Sequence, residues 1–182
     1  MISSLPTRRL LLRPFSPDDA DFVIALVNDP AWLRFIGDRQ VHDRAGAEAY
    51  IARLNRMHAE HGHGALLIEL RATGAPVGLA GLFRRPGLTV PDVGFALLPE
   101  YIGCGYAFEA ADAVLRDARP RLNLSQVLGV TVPANTASIR VLEKLGLRYA
   151  RTFRQPGSSE DLSLYRRTWG RKKPAGVVHG GR

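Results

Sequence analysis

The sequence predicts an α/β fold in which a mixed, mostly antiparallel central sheet carries helices on both faces. Short runs of alternating apolar residues recur along the chain, and stretches with helical spacing of apolar residues separate them. Gly- or Pro-containing turns bound both kinds of segment. The predicted order is one strand, three helices, three strands, a helix, a strand, a helix and two final strands.

The N-terminal third is predicted to contain the first strand and the three consecutive helices. Alternating leucines indicate a strand over 7–15. A capping serine followed by proline and two acids predicts a helix over 16–29. A short helical segment follows over 31–37, and apolar residues at i, i+1, i+4 and i+7 predict a third helix over 43–60.

The rest of the chain is predicted to alternate between strands and helices, because the apolar period changes after Gly64. A helix is expected to stop before Pro120, since proline lacks the N–H group that a helix interior requires. The predicted segments are strands at ALLIELR, PVGLAGLFR and DVGFALL, the helix AFEAADAVLRDA, the strand VLGVTV, a helix over 135–145, and strands at LRYARTFR and LSLYRRT.

We expect one domain over residues 1–168, followed by a basic, glycine-rich C-terminal tail over 169–182. The chain has 182 residues, of which 46% are hydrophobic and 23% charged, as is typical of a folded protein. The formal net charge of +8 is concentrated at the C-terminus, and residues 1–165 carry only about +2. The charge therefore predicts no nucleic-acid surface on the domain. Weak contact of the tail with RNA or a ribosome is left as an alternative.

Composition argues against several other classes of protein. The single cysteine, Cys104, excludes an intrachain disulfide and a zinc site built on several thiolates. No apolar run reaches the roughly 18 residues of a membrane span, and the first residues lack the pattern of a signal peptide. The HAEHGH segment at 58–63 has no second cluster to complete a metal site, and we expect it at a solvated helix end. The prediction is a cytoplasmic protein without membrane contact or metal.

The segment most informative about function is the strand, turn and helix over 92–118. Its turn, PEYIGCGYAFEA, places several backbone N–H groups at the start of a helix. Gly103 and Gly105 have no Cβ, so a bulky anion can approach the main chain and bind to the N–H groups and the helix dipole. The dinucleotide fingerprint fails at Phe108, and no P-loop lysine is present. A tight turn without a ligand is the simpler alternative.

Three segments in order resemble the GNAT superfamily of acetyl-CoA-dependent N-acetyltransferases, and within it the enzymes that acetylate the N-termini of ribosomal proteins. They are TRRLLLRPFSPDDA, PEYIGCGYAFEA and VPANTASIRVLEKLGL, and the resemblance covers about residues 6–168. Glu100 departs from the Gln or Arg usual in the family. The resemblance implies the GNAT fold, with a splayed pair of strands, and acetyl transfer to a primary amine, foremost a protein N-terminus. Acetylation of a small-molecule amine and a non-catalytic CoA-binding module are the alternatives, and a homodimer is compatible with such a fold.

The resemblance also implies where acetyl-CoA binds. The pyrophosphate would lie on the glycine-containing loop, and the pantetheine arm would lie along the splayed strand like an added strand. Asn135 would bond the pantetheine or cap the helix that it opens. The implied contacts are the main chain of Phe95, Ala96, Leu97 and Leu98 for the pantetheine, and Ile102, Gly103, Cys104, Gly105, Tyr106 and Ala107 for the pyrophosphate.

Catalytic residues are implied by the same resemblance. Many GNAT enzymes protonate the leaving thiolate with a tyrosine, but Leu142 occupies that position here. The ribosomal-protein subgroup is thought to use the serine of N-x-x-S, which is Ser138, although this serine would also suit a helix terminus. Asp92 is favoured as the general base over Glu160, and a base from solvent is the third alternative.

Overall fold

The computed structural model describes residues 4–155 and 157–170 and contains an open, eight-stranded sheet. The strand order is β1-β2-β3-β4-β5-β6-β8-β7, and within the described residues every neighbouring pair is antiparallel except β5 with β6. The predicted mixed, mostly antiparallel sheet is confirmed. The strands are β1 (Leu5–Pro6), β2 (Leu10–Arg13), β3 (Ala65–Leu70), β4 (Pro76–Phe83), β5 (Asp92–Leu97), β6 (Gln126–Thr131), β7 (Arg148–Phe153) and β8 (Leu162–Thr168).

Helices cover both faces of this sheet. In the described part of the chain, none of them is both long and apolar enough to cross a membrane. They are α1 (Ala20–Val27), α2 (Pro30–Phe35), α3 (Arg44–His61), α4 (Tyr106–Arg121) and α5 (Thr136–Lys144), with single 3-10 turns at Pro17–Asp19 and Pro99–Tyr101.

Local sequence signals account for most helix ends. Asp29 caps α2 by accepting from the N–H of Ala31 at 2.8 Å, and Asp43 caps α3 by accepting from Gly46 at 2.7 Å. Helix α3 ends at Gly62, whose φ of +68° is the left-handed conformation that glycine adopts at little cost. These caps explain why the predicted helix limits lie close to the observed ones.

The predicted end of α4 before Pro120 is wrong. The helix continues through Pro120 to Arg121. Proline in the last turn removes a single helical hydrogen bond, and the turn closes around it because Leu122 donates to the carbonyl of Ala118 at 2.8 Å. The proline signal therefore places the predicted end of the helix about one turn too early.

The two faces of the sheet form two separate cores. One core packs α4 and α5 against residues such as Leu10, Leu12 and Val77, which are fully buried. The other packs α1, α2 and α3 against the opposite face of β3 and β4. The second core includes no residue of β6, β7 or β8. Helices α1, α2 and α3 therefore do not form an apolar core with those three strands.

The histidine segment lies at the end of α3 as expected, but its histidines are only partly exposed. His58 and His63 are half-buried where the end of α3 meets α4. The distance from His63 Nδ1 to the carbonyl oxygen of Leu82 is 3.0 Å, which is a hydrogen bond. Within the described residues no cluster of three metal-ligating side chains occurs.

The C-terminal end of the domain follows β8. Trp169 still packs against the α4 side of the sheet, and its backbone N–H donates to the backbone carbonyl of Ser125 at 2.8 Å. The boundary at residue 168 stays a prediction, and residues 171–182 of the expected tail lie outside the described residues.

Candidate active site

The parallel strands β5 and β6 separate almost as soon as they meet. Their register contains one pair, Asp92 with Leu128, and the strands then diverge toward their carboxyl ends. A gap therefore opens beside β5, with Asp92 at its closed end. The carboxyl ends of open α/β sheets are where ligands commonly bind, because loops there leave backbone groups free.

Backbone alternation determines which groups of β5 face this gap. The Leu98 N–H donates to the carbonyl of Val77 in the direction of β4, at 2.9 Å, whereas the Pro91 carbonyl accepts from Leu128 of β6, at 3.1 Å. Successive residues of a strand direct their N–H and C=O groups to opposite sides. The main chain of 93, 95 and 97 therefore faces the gap, and that of 96 and 98 faces β4.

This alternation reduces the number of predicted residues whose main chain can contact a pantetheine in the gap. Of the four predicted residues, Phe95 and Leu97 present main-chain groups to the gap, while Ala96 and Leu98 are paired toward β4 and place their side chains in the α1–α3 core. Val93 was missed, although its main chain faces the gap as well. The signal that identifies it is the strand pairing, which the sequence alone does not contain.

The loop between β5 and α4 presents a row of free N–H groups. Gly103 and Gly105 both have positive φ, +85° and +82°, which turns the chain tightly into the helix. The Ile102 N–H is used within the preceding turn, donating to Pro99 at 3.1 Å. From 103 to 107 the N–H groups have no protein acceptor in the described chain. This is the geometry of an anion site at a helix N-terminus.

Arg9, which lies within the strand predicted over 7–15 and was not predicted as a site residue, holds this loop in place. Its Nη1 donates to the carbonyl of Cys104 at 3.0 Å, and its guanidinium lies 4.5 Å from the centre of the Tyr106 ring. Its Nε donates to Glu109 at 2.7 Å. Because C=O and N–H of a trans peptide point in opposite directions, holding the Cys104 carbonyl toward Arg9 turns the next N–H, that of Gly105, away from Arg9.

Glu109 completes the brace from the first turn of α4. It accepts from the Thr7 hydroxyl at 2.6 Å and from the Arg9 backbone N–H at 2.8 Å. Burial opposes ionisation, but these hydrogen bonds and the Arg9 charge outweigh it and hold the pKa of Glu109 below its ordinary value. No local sequence pattern predicts this contact, because the two residues are separated by 100 positions.

Asn135 and Ser138 lie at the start of α5, beside the open end of the gap. The Asn135 side-chain oxygen accepts from the Ser138 backbone N–H at 3.1 Å, so the capping role is observed. The side-chain nitrogen of Asn135 and the hydroxyl of Ser138 donate to nothing within the described residues. Leu142, one turn further along α5, is 1% exposed and belongs to the core.

The two predicted base residues lie in different environments. Asp92 is 1% exposed, and one of its oxygens accepts from Arg85 Nε at 2.8 Å while the other has no partner among the described residues. Burial raises the pKa of Asp92 above its ordinary value, and the Arg85 charge opposes this shift. Glu160 is exposed on the β7–β8 turn. Asp92 therefore belongs to the buried end of the gap, whereas Glu160 belongs to the surface.

Comparison with known proteins agrees with this geometry. A family model described as an acetyltransferase (GNAT) domain matches residues 9–148. An uncharacterized N-acetyltransferase of Bacillus subtilis is 27% identical over 151 residues, covering 83% of this chain and 86% of the relative. The crystal structure of an acetyltransferase from Agrobacterium tumefaciens superposes with a TM-score of 0.79 at 28% identity, over 93% of this chain and 96% of the other.

A further solved structure has the same fold at lower identity. It is a ribosomal L7/L12 alpha-N-protein acetyltransferase in complex with coenzyme A, with a TM-score of 0.78 at 17% identity, over 91% of this chain and 98% of that one. The splayed strands, the glycine-containing loop and the family match agree with the resemblance of the three sequence segments. The chain belongs to the GNAT family of N-acetyltransferases, which transfer an acetyl group from acetyl-CoA to an amine.

Proposed function

We propose that this acetyltransferase acts on the free α-amino group at the N-terminus of a polypeptide. The observation that carries the proposal is the α1–α3 side of β6, β8 and β7, which no helix of the second core covers and which continues the sheet beyond the closed end of the gap. Leu128 and Leu164 are buried there beside residues 87–90, but β7 is exposed along nearly its whole length. A small-molecule site usually encloses most of its ligand, whereas a cleft that is open along one strand next to the reacting position suits an extended polypeptide. The fold shared with an alpha-N-protein acetyltransferase gives additional support.

The residues around the gap fit acetyl-CoA, which supplies the activated acetyl thioester when bound. In this proposal the main chain of Val93, Phe95 and Leu97 pairs with the pantetheine amides, and the free N–H groups of 103–107 bind the pyrophosphate. The Asn135 side-chain nitrogen is available for the pantetheine while its oxygen caps α5. A backbone N–H of β5 that faces the gap can also stabilise the charge that develops on the thioester oxygen.

Ser138 is proposed as the proton donor for the leaving thiolate. Its backbone is fixed by Asn135, and its hydroxyl has no competing partner in the described chain. The buried Leu142 leaves no titratable side chain at the position where many relatives carry a tyrosine.

For the base we propose Asp92 ahead of Glu160. The unpaired Asp92 oxygen lies at the closed end of the gap, and burial raises its pKa toward the range in which a carboxylate accepts a proton effectively. Because Asp92 is buried, it receives the proton through a water molecule, whereas Glu160 or solvent would receive it directly. A pH–rate profile that is the same in wild type, Asp92→Asn and Glu160→Gln would exclude both carboxylates.

The acceptor class is tested by offering different amines to the purified full chain with acetyl-CoA. The panel contains a peptide with a free N-terminus, the same peptide with a blocked N-terminus and an internal lysine, a polyamine and an aminoglycoside. We expect CoA release and a mass increase of one acetyl group with the free N-terminus alone. Turnover with a small amine and with no peptide would overturn the proposal. CoA binding without turnover on any amine would favour a non-catalytic module.

A further inference from the structure

A cleft of about 370 Å³ lies on the α1–α3 side of the sheet, beyond the closed end of the gap. Residues 87–90 of the β4–β5 loop form one wall. The opposite wall comes from β6, β7 and β8, where Leu128 and Leu164 are apolar and Arg151 and Arg166 are charged. None of the residues that we assign to acetyl-CoA lines this cleft.

Strand register places the cleft next to the reacting position. Asp92 pairs with Leu128, and Leu128 pairs with Arg166, so these three side chains form a row across the sheet on the same face. In the next row on this face, Leu164 pairs with Arg151. Neighbouring strands are about 4.8 Å apart, so Arg166 lies roughly 10 Å across the sheet from β5.

The charge in this cleft is not balanced by protein carboxylates. Arg151 and Arg166 are exposed, and neither forms an ion pair with any residue that the structure describes. The nearest carboxylate in the row, that of Asp92, is already paired with Arg85 at 2.8 Å. The Arg151 guanidinium lies 5.5 Å from the centre of the Phe153 ring and makes no ion pair with a described residue. Two arginine side chains that line one cleft with two leucines match a carboxylate on a short aliphatic stem, since arginine binds carboxylates in bidentate geometry.

We propose that this cleft binds the side-chain carboxylate of an acidic residue near the N-terminus of the acceptor polypeptide. The inference rests on the proposed function and adds sequence specificity to it. The reacting amine of the proposed acceptor lies beside β5, and Arg166 lies roughly 10 Å from that strand. An extended chain spans at most about 3.5 Å per residue, so this distance assigns the acidic residue to about the second to fourth position of the acceptor.

The test compares peptides that differ only in charge. Two peptides carry glutamate or glutamine at the third position after the same N-terminal residue, and kcat/KM is measured for each with saturating acetyl-CoA. We expect the glutamate peptide to be preferred about tenfold by wild type, and the ratio to approach one in Arg166→Gln and in the Arg151→Gln/Arg166→Gln double variant. Arg56→Gln removes an exposed charge on α3 outside the cleft and should keep the preference.

Two outcomes overturn the proposal: equal kcat/KM for both peptides in wild type, or a preference that survives the double variant.

A second measurement distinguishes failure of the cleft proposal from failure of the proposed function. If no peptide is acetylated, binding of the two fluorescently labelled peptides to the CoA-saturated chain is measured by anisotropy. Tighter binding of the glutamate peptide that is lost in Arg166→Gln supports the cleft, and equal binding overturns it. Thermal unfolding of each variant confirms that it is folded.

Discussion

At the scale of single residues, the structural role of Ser138 and its proposed chemical role can be tested separately. Its backbone N–H is held by Asn135 at 3.1 Å, and this bond does not involve the serine side chain. Ser138→Ala therefore removes the hydroxyl and keeps the helix cap. If the hydroxyl protonates the thiolate, we expect kcat to fall roughly 10²- to 10⁴-fold with the dissociation constant for acetyl-CoA unchanged.

Thr136→Ala is the matched control for Ser138. It removes a hydroxyl from the same turn of α5, at an exposed position. Steady-state kinetics and acetyl-CoA titration on both variants decide the question. A Ser138→Ala enzyme with the kcat of Thr136→Ala would show that Ser138 serves only the helix terminus.

Arg9 is expected to position the phosphate-binding loop. Arg9→Gln would lose the contact to the Cys104 carbonyl and leave Glu109 without its cation, so the Gly105 N–H would no longer be fixed. Hydrogen bonds to charged groups contribute about 1.5–3 kcal/mol, so we expect the dissociation constant for acetyl-CoA to rise about tenfold or more. Arg9→Lys keeps the charge without the planar fork and should restore only part of the affinity.

The neighbouring Arg8→Gln is the control for Arg9, because Arg8 is exposed and adjacent on the same segment. Calorimetric titration with acetyl-CoA and a thermal unfolding curve are measured for each variant. A lower Tm of Arg9→Gln with unchanged affinity would mean that Arg9 stabilises the fold without orienting the loop.

At the scale of elements, two glycines with similar positive φ angles test the role of the β5–α4 loop. Gly103 and Gly74 have φ of +85° and +72°, and a Cβ at either position would meet no atom within 4 Å. Alanine at either position therefore carries a similar strain, about 1 kcal/mol. Only Gly103 lies among the free N–H groups, so its Cβ would occupy the approach of the anion.

We therefore expect Gly103→Ala and Gly74→Ala to lower Tm by similar amounts, about 2–4 °C for a chain of this size. Gly103→Ala alone should weaken acetyl-CoA binding, measured as a smaller ligand-induced increase of Tm. Equal ligand-induced increases in both variants would remove the pyrophosphate from this loop and leave Gly103 as an ordinary turn residue.

Local signals account for the elements that the sequence predicted correctly. The glycine-containing loop, the caps of α2 and α3 and the alternation of leucines in β2 each depend on residues a few positions apart. Features that depend on pairing could not be derived in this way. The Arg9–Glu109 brace, the direction of each main-chain group in β5 and the short strand β1 appear only when distant segments meet.

At the scale of the whole molecule, we expect the stability of the fold to depend on pH through two histidines where α3 meets α4. His58 and His63 line a small cavity of about 20 Å³ together with Asp117 and Arg121 of α4. Burial lowers the pKa of both histidines, although a hydrogen bond to the Leu82 carbonyl opposes the shift for His63. The nearby Arg121 charge lowers both pKa values further, and Asp117 opposes this for His58.

The sign of the effect follows from proton binding. Histidine has an ordinary pKa of about 6.5, so below that value the unfolded chain binds protons that the folded chain does not. The free energy of unfolding therefore falls as pH decreases from about 7 to about 5. Asp19 and Glu109, whose pKa values are lowered, add a similar loss only at lower pH, near the ordinary carboxyl range. Asp92 acts in the opposite direction, because its raised pKa makes the folded chain bind the extra proton.

The expected result is a Tm that is lower at about pH 5.5 than at about pH 7.5, with a smaller difference in the His58→Gln/His63→Gln double variant. Glutamine keeps a donor for the Leu82 carbonyl but does not titrate, so the variant isolates the proton-linked contribution. His42→Gln replaces an exposed histidine elsewhere and should leave the difference unchanged. Differential scanning calorimetry at both pH values measures it. An unchanged pH dependence in the double variant would show that protonation of this helix junction does not limit the stability of the fold.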